Sequence, residues 1–387
     1  MKFERYALSE LATIKYGKNQ KKVLSESGNI PIYGTGGLMG YATIALYDKP
    51  SVLIGRKGTI GKVKYVEHPF WTVDTLFYTI VNTDIVLPKY LYYVMSLIDL
   101  NNYNEGTTIP SLRTETLNRL EFDIPSLEEQ EIILSCLNPI DQKIGLNNAI
   151  NNNLLEQIRT ICTAWLSEYK PFDGVMPSDW VETPLSDIAE FISGYSYKGT
   201  ELTDSTIAMA TIKNFDRKGG FKLDGYKEII PSSKLKESQH AELFDTLVAH
   251  TDLTQNAEVI GNAEPVMSKS GYDDIVFSMD LVKVLPKKDG VSKFLIAAIL
   301  QDKKFKAHCL GYINGTTVLH LSKKALPEYK LFLPSDLSTL KPLDEVVTAL
   351  YKQVSSNISE NTYLEELRES LLPKLMSGEL DVSTLEF

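Results

Sequence analysis

The feature that most constrains this chain is an internal repeat. Residues 8–12, Leu-Ser-Glu-Leu-Ala, return 177 positions later as Leu-Ser-Asp-Ile-Ala at 185–189. Residues 106–109, Gly-Thr-Thr-Ile, return 209 positions later as Gly-Thr-Thr-Val at 315–318. The segment between these landmarks is therefore 32 residues longer in the second copy. A period this long excludes a solenoid and predicts one structural plan used twice.

A long heptad pattern follows the Pro-Ser pair that ends each copy, at 125–126 and at 334–335. Its seam residues alternate in steps of three and four over more than four heptads, which is typical of a coiled coil. Each helix of about 40 residues would be about 60 Å long. The seam residues are Ile133, Leu137, Ile140, Ile144, Asn147, Asn151, Leu154, Ile158, Ile161 and Trp165 in the first copy, and Leu343, Val347, Leu350, Val354, Asn357, Asn361, Leu364, Arg368, Leu371 and Leu375 in the second.

Two asparagines lie near the middle of each seam. A buried seam asparagine costs stability but fixes the register of a coiled coil, because it pairs with a partner asparagine. Antiparallel packing would pair Asn147 with Asn361 and Asn151 with Asn357. A parallel arrangement also matches the asparagines, and a solvent-facing polar interruption is the third interpretation.

The segments outside the heptads have mixed α/β character. Apolar, β-branched and aromatic runs predict strands at Ser51–Ile54, Leu76–Val81, Thr246–Ala249 and Asp274–Phe277. A proline in the first turn predicts a helix that begins at Pro88, and a matching helix is expected from Ser292 to Leu300.

Charge is distributed unevenly along the chain. The net charge is −10, which argues against a protein that coats nucleic acid non-specifically. Residues 1–105 nevertheless have a net charge of +3, whereas the heptad segments 126–170 and 336–387 have −3 and −6. The basic residues of the first segment include a local cluster of Arg56, Lys57, Lys62 and Lys64.

Several classes of protein are excluded by what the sequence lacks. No apolar run approaches the 18 residues of a membrane span. Cys136, Cys162 and Cys309 form no CxxC pair, so we expect neither a disulfide framework nor a zinc site, and a reducing cytoplasm fits. Gly34–Gly40 and Gly55–Lys62 fail the dinucleotide and Walker A patterns.

These absences predict a chain without catalytic residues, metal or cofactor. The histidines show no metal-ligand spacing, and neither a nucleophile elbow nor the [DNS]-P-P-[YF] tetrapeptide of amino-methyltransferases is present. The alternative is an enzyme whose site is built from Asp74 or Asp280 with nearby lysines.

A polar loop follows a strand at equivalent places in both copies. Val52–Gly58 parallels Thr246–Asp252, and Thr72–Thr75 parallels Ser278–Leu281. The loops contain Arg-Lys in one copy and His-Thr-Asp in the other, as expected of two related readers of different DNA sequences. A plain hairpin tip is the alternative for each residue. The candidate DNA contacts are Gly34, Thr35, Gly36, Gly37, Arg56, Lys57, Gly58, Thr59, Lys62, Thr75, Tyr195, Tyr197, Lys198, Lys213, Asn214, His250 and Thr251.

Three segments, Val52–Thr79, Ile124–Leu134 and Leu364–Leu380, carry a resemblance to a known family. The chain resembles the specificity subunit of type I restriction–modification systems over essentially its whole length. The resemblance implies an α+β fold in which two mixed α/β target-recognition domains are separated by two long helices that form an antiparallel coiled coil with pseudo-twofold symmetry. The domains would be residues 1–125 and 171–335, and the helical segments 126–170 and 336–380.

The same resemblance implies a function. Each domain would read one half of a bipartite, asymmetric site in double-stranded DNA, and the helices would set the spacer. Two modification subunits with S-adenosylmethionine would methylate a flipped adenine, and two restriction subunits with Mg and ATP could join them. The specificity subunit itself would hold no cofactor. The competing hypothesis is a duplicated coiled-coil scaffold without DNA specificity.

Overall fold

The computed structural model describes residues 1–217 and 219–382. The α-helices are α1 (Leu8–Leu11), α2 (Pro88–Ser96), α3 (Thr114–Leu117), α4 (Leu127–Leu166), α5 (Leu185–Ile188), α6 (Lys293–Leu300), α7 (Lys303–Leu310), α8 (Ala325–Glu328) and α9 (Lys341–Ser377). Short 3-10 helices lie at Leu100–Tyr103, Lys170–Phe172, Gly199–Glu201, Ile212–Asn214, Leu223–Gly225, Glu237–Gln239 and Leu337–Leu340.

The strands occur in two groups that α4 separates in the sequence. The first group is β1 (Glu4–Ala7), β2 (Ala12–Tyr16), β3 (Ile30–Gly34), β4 (Gly37–Ala42), β5 (Ser51–Gly55), β6 (Val63–Val66), β7 (Trp71–Thr72), β8 (Leu76–Val81) and β9 (Glu121–Ile124). The second is β10 (Trp180–Pro184), β11 (Ala189–Ser193), β12 (Ile207–Ala210), β13 (Lys227–Glu228), β14 (Thr246–Ala249), β15 (Thr251–Asp252), β16 (Ala263–Pro265), β17 (Asp274–Phe277), β18 (Leu281–Pro286), β19 (Ile313–Asn314), β20 (Leu319–Leu321) and β21 (Lys330–Pro334).

The two long helices form as the heptads predict. Helix α4 has 40 residues and α9 has 37. A capping box begins α4, because the Ser126 N–H and hydroxyl donate to the Glu129 carboxylate at 3.1 and 3.0 Å while the Glu129 N–H donates to Ser126 Oγ at 3.3 Å. Gly378 follows the end of α9 with φ +77°, the left-handed conformation that favours glycine in a C-cap.

The chain divides into two compact units. The first contains residues 1–143 and the described residues from Leu364 onward, and the second contains residues 144–363. The division passes through both long helices, so each unit contains part of α4 and part of α9. The mixed α/β character expected of both globular regions is confirmed.

Each unit has a core to which both helices contribute. In the first, Ile133 and Leu137 of α4 and Leu375 of α9 are buried with Leu8 and Phe77. In the second, Ile158 of α4 and Val347 and Tyr351 of α9 are buried with Leu185 and Val284. The heptad seams are therefore buried partly against each other and partly against the α/β layers.

The helices pack antiparallel, as expected. Within the second unit, Asn147 Nδ2 donates to Asn361 Oδ1 at 2.9 Å and Asn357 Nδ2 donates to Asn151 Oδ1 at 2.7 Å. The partner numbers fall along α9 as they rise along α4, which only antiparallel helices allow. All four side chains are buried.

The same sheet is built in each unit. Its strand order is β2-β8-β5-β6 in the first and β11-β18-β14-β16 in the second. A smaller sheet accompanies it, in the order β4-β3-β7 and β13-β12-β17, and in both it contains one parallel pair. The repeat found in the sequence is thus a repeat of topology.

Strand register corrects one predicted correspondence. Gly55 pairs with Leu76 and Ala249 with Leu281, so Leu76 and Leu281 are equivalent. Thr72–Thr75 then corresponds to 277–280, and the predicted match to Ser278–Leu281 is wrong by one residue. The mistake came from aligning two aspartates, whereas the hydrogen-bonded ladder determines which residues occupy the same place.

Candidate nucleic-acid interface

Four segments converge at one end of the main sheet of the first unit. We call them the first edge: residues 16–18, 33–37, 55–59 and 72–75. Backbone bonds join them to the 72–75 turn, since the N–H groups of Lys18 and Arg56 donate to the carbonyls of Thr72 and Thr75 at 2.8 and 2.9 Å. The Val73 N–H donates to the carbonyl of Tyr33 at 3.0 Å.

The second unit builds an equivalent edge from residues 193–195, 210–214, 249–252 and 277–280. The N–H groups of Tyr195 and His250 donate to the carbonyls of Phe277 and Asp280 at 2.7 and 2.8 Å. The Ser278 N–H donates to the Ala210 carbonyl at 2.9 Å. Each of these bonds has its counterpart in the first edge, so the two edges are one scaffold.

A glycine allows the close approach on which this scaffold depends. A Cβ atom at Gly17 would lie 2.0 Å from the Val73 carbonyl oxygen, and one at Gly194 would lie 2.0 Å from the Ser278 oxygen. These glycines are separated by the same 177 residues as the start of the repeat. A side chain at Gly17 would push the 72–75 turn away from the end of β2, and one at Gly194 would push residues 277–280 away from the end of β11.

Arg56 is held in place at the first edge. Its Nη1 donates to the Asp74 carbonyl at 2.9 Å, and its guanidinium carbon lies 4.9 Å from the centre of the Tyr16 ring. No other side-chain bond of Arg56 occurs within residues 1–217 and 219–382, so the rest of its donor fork is available to a ligand. A fixed guanidinium fork suits bidentate recognition of guanine or phosphate.

The other predicted contacts of the first unit, except Lys62, lie in the segments of the first edge. Thr35 and Gly36 form the turn between β3 and β4, in which Gly34 pairs with Gly37. Four predicted residues of the loop after β5 are exposed, namely Lys57, Gly58, Thr59 and Lys62. The Thr75 carbonyl accepts from the Arg56 N–H and also from the Lys57 N–H, the latter at 3.2 Å.

Lys64 belongs to the same basic cluster, but its Nζ lies over the Tyr33 ring, 4.0 Å from the ring centre.

His250 occupies the place of Arg56 in the second edge. Burial, with Lys323 and His320 nearby, lowers the pKa of its imidazole to about 4. His250 is therefore neutral at physiological pH, so one ring nitrogen can donate and the other can accept. The same position holds a fixed cation in one unit and a neutral imidazole in the other.

Tyr195 anchors the loop that follows β11. Its side chain is 2% exposed, and its hydroxyl donates to Glu201 Oε1 at 2.7 Å. The hydrogen bond from the Lys198 N–H, together with the weaker effect of the Tyr195 hydroxyl, lowers the pKa of Glu201 to about 2. Tyr195 is thus engaged inside the unit, whereas Lys198 is exposed and Tyr197 is half-buried.

An insertion carries the predicted residues that follow β12. The β3–β4 turn of the first unit is replaced by residues 211–226, which lie between β12 and β13. Asn214 is fully buried, and it joins the ends of this insertion by donating to the Lys222 carbonyl and accepting from the Thr211 N–H, both at 2.8 Å. Lys213 is exposed beside it.

Burial separates the predicted contacts of the second unit into two groups. Tyr195, Asn214 and Thr251 are buried and hydrogen bonded, the last donating to Asp280 Oδ1 at 2.9 Å. As the structure has them, these three support the loops and do not reach solvent. The exposed residues Lys198 and Lys213, with half-buried Tyr197 and His250, are the ones available to a ligand.

Sequence reasoning missed Tyr16 and Lys18. Tyr16 is 50% exposed and supports Arg56, while Lys18 is exposed and its carbonyl accepts from Trp71 Nε1 at 2.9 Å. Extending the 177-residue offset from the start of the repeat to Gly17 and Gly194 would have found them.

Neither a metal site nor a membrane-spanning helix occurs in the part of the chain that the structure describes. Within residues 1–217 and 219–382, no group of three or more His, Cys, Asp or Glu side chains could hold a metal ion. Over the same residues, no helix is long and apolar enough to cross a membrane.

Comparisons with known proteins all point to one family. The model of the type I restriction modification DNA specificity domain matches residues 1–156. The MjaIX specificity subunit of Methanocaldococcus jannaschii is 23% identical over 370 residues, covering 89% of this chain and 80% of the relative. The HindI specificity subunit of Haemophilus influenzae is 24% identical over 388 residues, covering 83% and 84%. Over more than four-fifths of its length the chain is similar to specificity subunits of type I restriction–modification systems, and the domain model matches 156 of its 387 residues.

A solved structure agrees with this family at the level of the fold. The crystal structure of the S subunit of a type I system from M. genitalium has a TM-score of 0.55 and 17% identity, covering 97% of this chain and 96% of its own. Specificity subunits recognise the DNA target for the methylation and restriction complex, are its non-catalytic part and carry no cofactor themselves.

Proposed function

We propose that this subunit reads a bipartite, asymmetric site in double-stranded DNA, one half through each edge. The recognition domains would be residues 1–125 and 171–335, joined by the helical segments 126–170 and 336–380. The observation that carries the proposal is the pair of equivalent edges, which share their backbone bonds and differ in the side chains they present.

Arg56 is the base reader that we propose for the first half-site. Its bond to Asp74 and its contact with Tyr16 hold the fork in one orientation, which reduces the entropy lost on binding. Guanine O6 and N7 are the acceptors that match a bidentate arginine. The exposed Lys18, Lys57 and Lys62 would contact phosphates nearby.

The second half-site would be read by other means. His250 is neutral, so it would recognise a base edge or a water through one donor and one acceptor. The cations are instead supplied by Lys198 and Lys213, which lie on the loops after β11 and β12. The two half-sites therefore need not share a sequence.

Two modification subunits are the partners we propose for the helices, with two restriction subunits joining them. The helical segments are acidic, which disfavours DNA as their ligand. Large apolar side chains on them are exposed, among them Leu146 (56%), Val346 (45%) and Tyr363 (63%), as a protein-binding surface requires. S-adenosylmethionine, Mg and ATP would belong to these partners.

A methylome of the source cell, with the gene intact and deleted, tests this function. We expect methylated adenine to disappear from one bipartite motif when the gene is deleted. Restoring the gene should restore the motif, and the motif itself gives both half-sites and the spacer. An unchanged methylome in cells that express the subunit with its partners would contradict the proposal and favour a scaffold without DNA specificity.

A further inference from the structure

The Gly-Thr-Thr sequence of the repeat lies outside both edges. It lies at 106–108 in the first unit and at 315–317 in the second, and all four threonines are exposed. We call these segments the GTT loops. They are identical in sequence, although the neighbouring loops that carry Arg56 and His250 differ.

Each GTT loop is tied to the edge of its own unit through carbonyl groups. The Gly58 N–H donates to the Pro110 carbonyl at 2.9 Å, two residues after the first GTT loop. Gln255 Nε2, in the loop that follows β14 and β15, donates to the carbonyls of Thr316 and Thr317. The GTT loops therefore lie beside the segments that present the proposed base readers.

A compact turn presents the threonines in each unit. A Cβ atom at Gly106 would lie 1.9 Å from the Ile109 carbonyl oxygen, and one at Gly315 would lie 2.3 Å from the Val318 oxygen. Gly315 also has φ +105°. These turns direct carbonyl groups inward against the glycines.

The donors of the loops have no partner among the residues that the structure describes. Neither the hydroxyls nor the backbone N–H groups of Thr107, Thr108, Thr316 and Thr317 bond to any residue of 1–217 or 219–382. Two adjacent hydroxyls with two adjacent amides match the acceptors of a phosphate, to which threonine side chains and backbone N–H groups commonly bind in DNA complexes.

We infer that the GTT loops bind one DNA backbone phosphate in each half-site. This inference rests on the proposed function. Two readers of different half-sites should differ where they contact bases and agree where they contact the backbone, because the phosphate is the same in every sequence. The loops agree, and the adjacent recognition segments do not.

The test uses the subunit in complex with its modification partners. T107V/T108V and T316V/T317V remove the hydroxyls at nearly constant shape, T107S/T108S and T316S/T317S retain them, and T13V changes an exposed threonine on β2. Affinity is measured for a duplex with the methylated motif and for an unrelated duplex of equal length. We expect each valine pair to weaken binding to both duplexes about tenfold, the serine pairs to restore it and T13V to have no effect.

Salt dependence and phosphate substitution sharpen the result. The threonines are neutral, so the slope of affinity against salt concentration should stay unchanged in the valine variants. One methylphosphonate in a half-site should weaken the wild-type complex, and that penalty should be smaller in the valine pair of the matching unit only, because the valines keep the backbone N–H groups but lack the hydroxyls.

Two outcomes would overturn the inference. Unchanged affinity of folded valine variants would make the GTT loops turns without a ligand, and a changed methylated motif would make them base readers. If the proposed function is wrong, the wild-type complex will bind the two duplexes with equal affinity. The affinity of the wild type and the valine variants for the unrelated duplex would then still show whether the GTT loops bind phosphate.

Discussion

The two edges differ in which segment carries positive charge. In the first, Arg56, Lys57 and Lys62 lie on the loop after β5. In the second, the loop after β14 holds His250, with a pKa of about 4, and the exposed lysines among the predicted contacts, Lys198 and Lys213, lie on other loops. One backbone scaffold can therefore deliver DNA-binding chemistry from different loops, which is how duplicated domains acquire different specificities without a change of fold.

Replacing Arg56 should have the largest effect on this comparison. R56A is expected to weaken binding by about 1–3 kcal/mol and to relax one position of one half-site. The measurement is affinity of the complex for duplexes with every base at each motif position. R56K keeps the charge but not the planar fork, so it should restore little of the specificity.

A phosphate role for Arg56 predicts another pattern. R56A would then weaken binding equally for all sequences and reduce the salt slope by about one, and R56K would restore most of the affinity. The second unit serves as the internal control, because its half-site should keep its sequence in either case.

His250 should make the second unit sensitive to acid. The folded state resists protonation down to about pH 4, while an unfolded histidine takes up a proton near 6.5. Stability is then fully present above pH 6.5 and falls as the pH drops from there towards 4, by about 2 kcal/mol at pH 5. Titration of the His250 ring by NMR, and melting of H250Q over this pH range, measure the effect.

An unshifted pKa for His250 would contradict the contrast between the two edges. A titration midpoint near pH 6.5 in the NMR experiment would mean that the imidazole is accessible to solvent and can carry a charge when DNA is bound. H250Q with the same acid sensitivity as the wild type would assign that sensitivity to another group.

The asparagine pairs should show the smallest effect. N151A leaves the buried Asn357 without its partner and should cost about 1–2 kcal/mol. N151L/N357L should recover most of this loss, because both polar groups are removed together. Thermal melting measures both, and a double variant as unstable as N151A would refute the view that the pair fixes register at the expense of stability.

Much of the fold was predictable from local pattern. The strands Leu76–Val81 and Thr246–Ala249 and the helix from Pro88 lie where expected. Runs of apolar, β-branched and aromatic residues and a proline in a first turn act over a few residues, so the sequence is enough to find these elements.

The candidate site was predictable only in part. Strand ends marked Arg56 and His250, but nothing local to Tyr195, Asn214 or Thr251 distinguishes a buried support from a solvent-facing contact. Their hydrogen-bond partners Glu201, Lys222 and Asp280 lie 6, 8 and 29 residues further along the chain, beyond the reach of a strand or turn pattern.

By itself, then, the sequence determined the duplication, the two long helices and the positions of their paired asparagines, because periodicity and repeats are properties of neighbouring residues and fixed offsets. Only the tertiary structure decided the antiparallel direction, the one-residue correction that makes Thr75 and Asp280 equivalent, and the meeting of four separate segments at each edge. Those features depend on hydrogen bonds between segments far apart in the chain, and such bonds form only when the sheets and the helix pair have assembled.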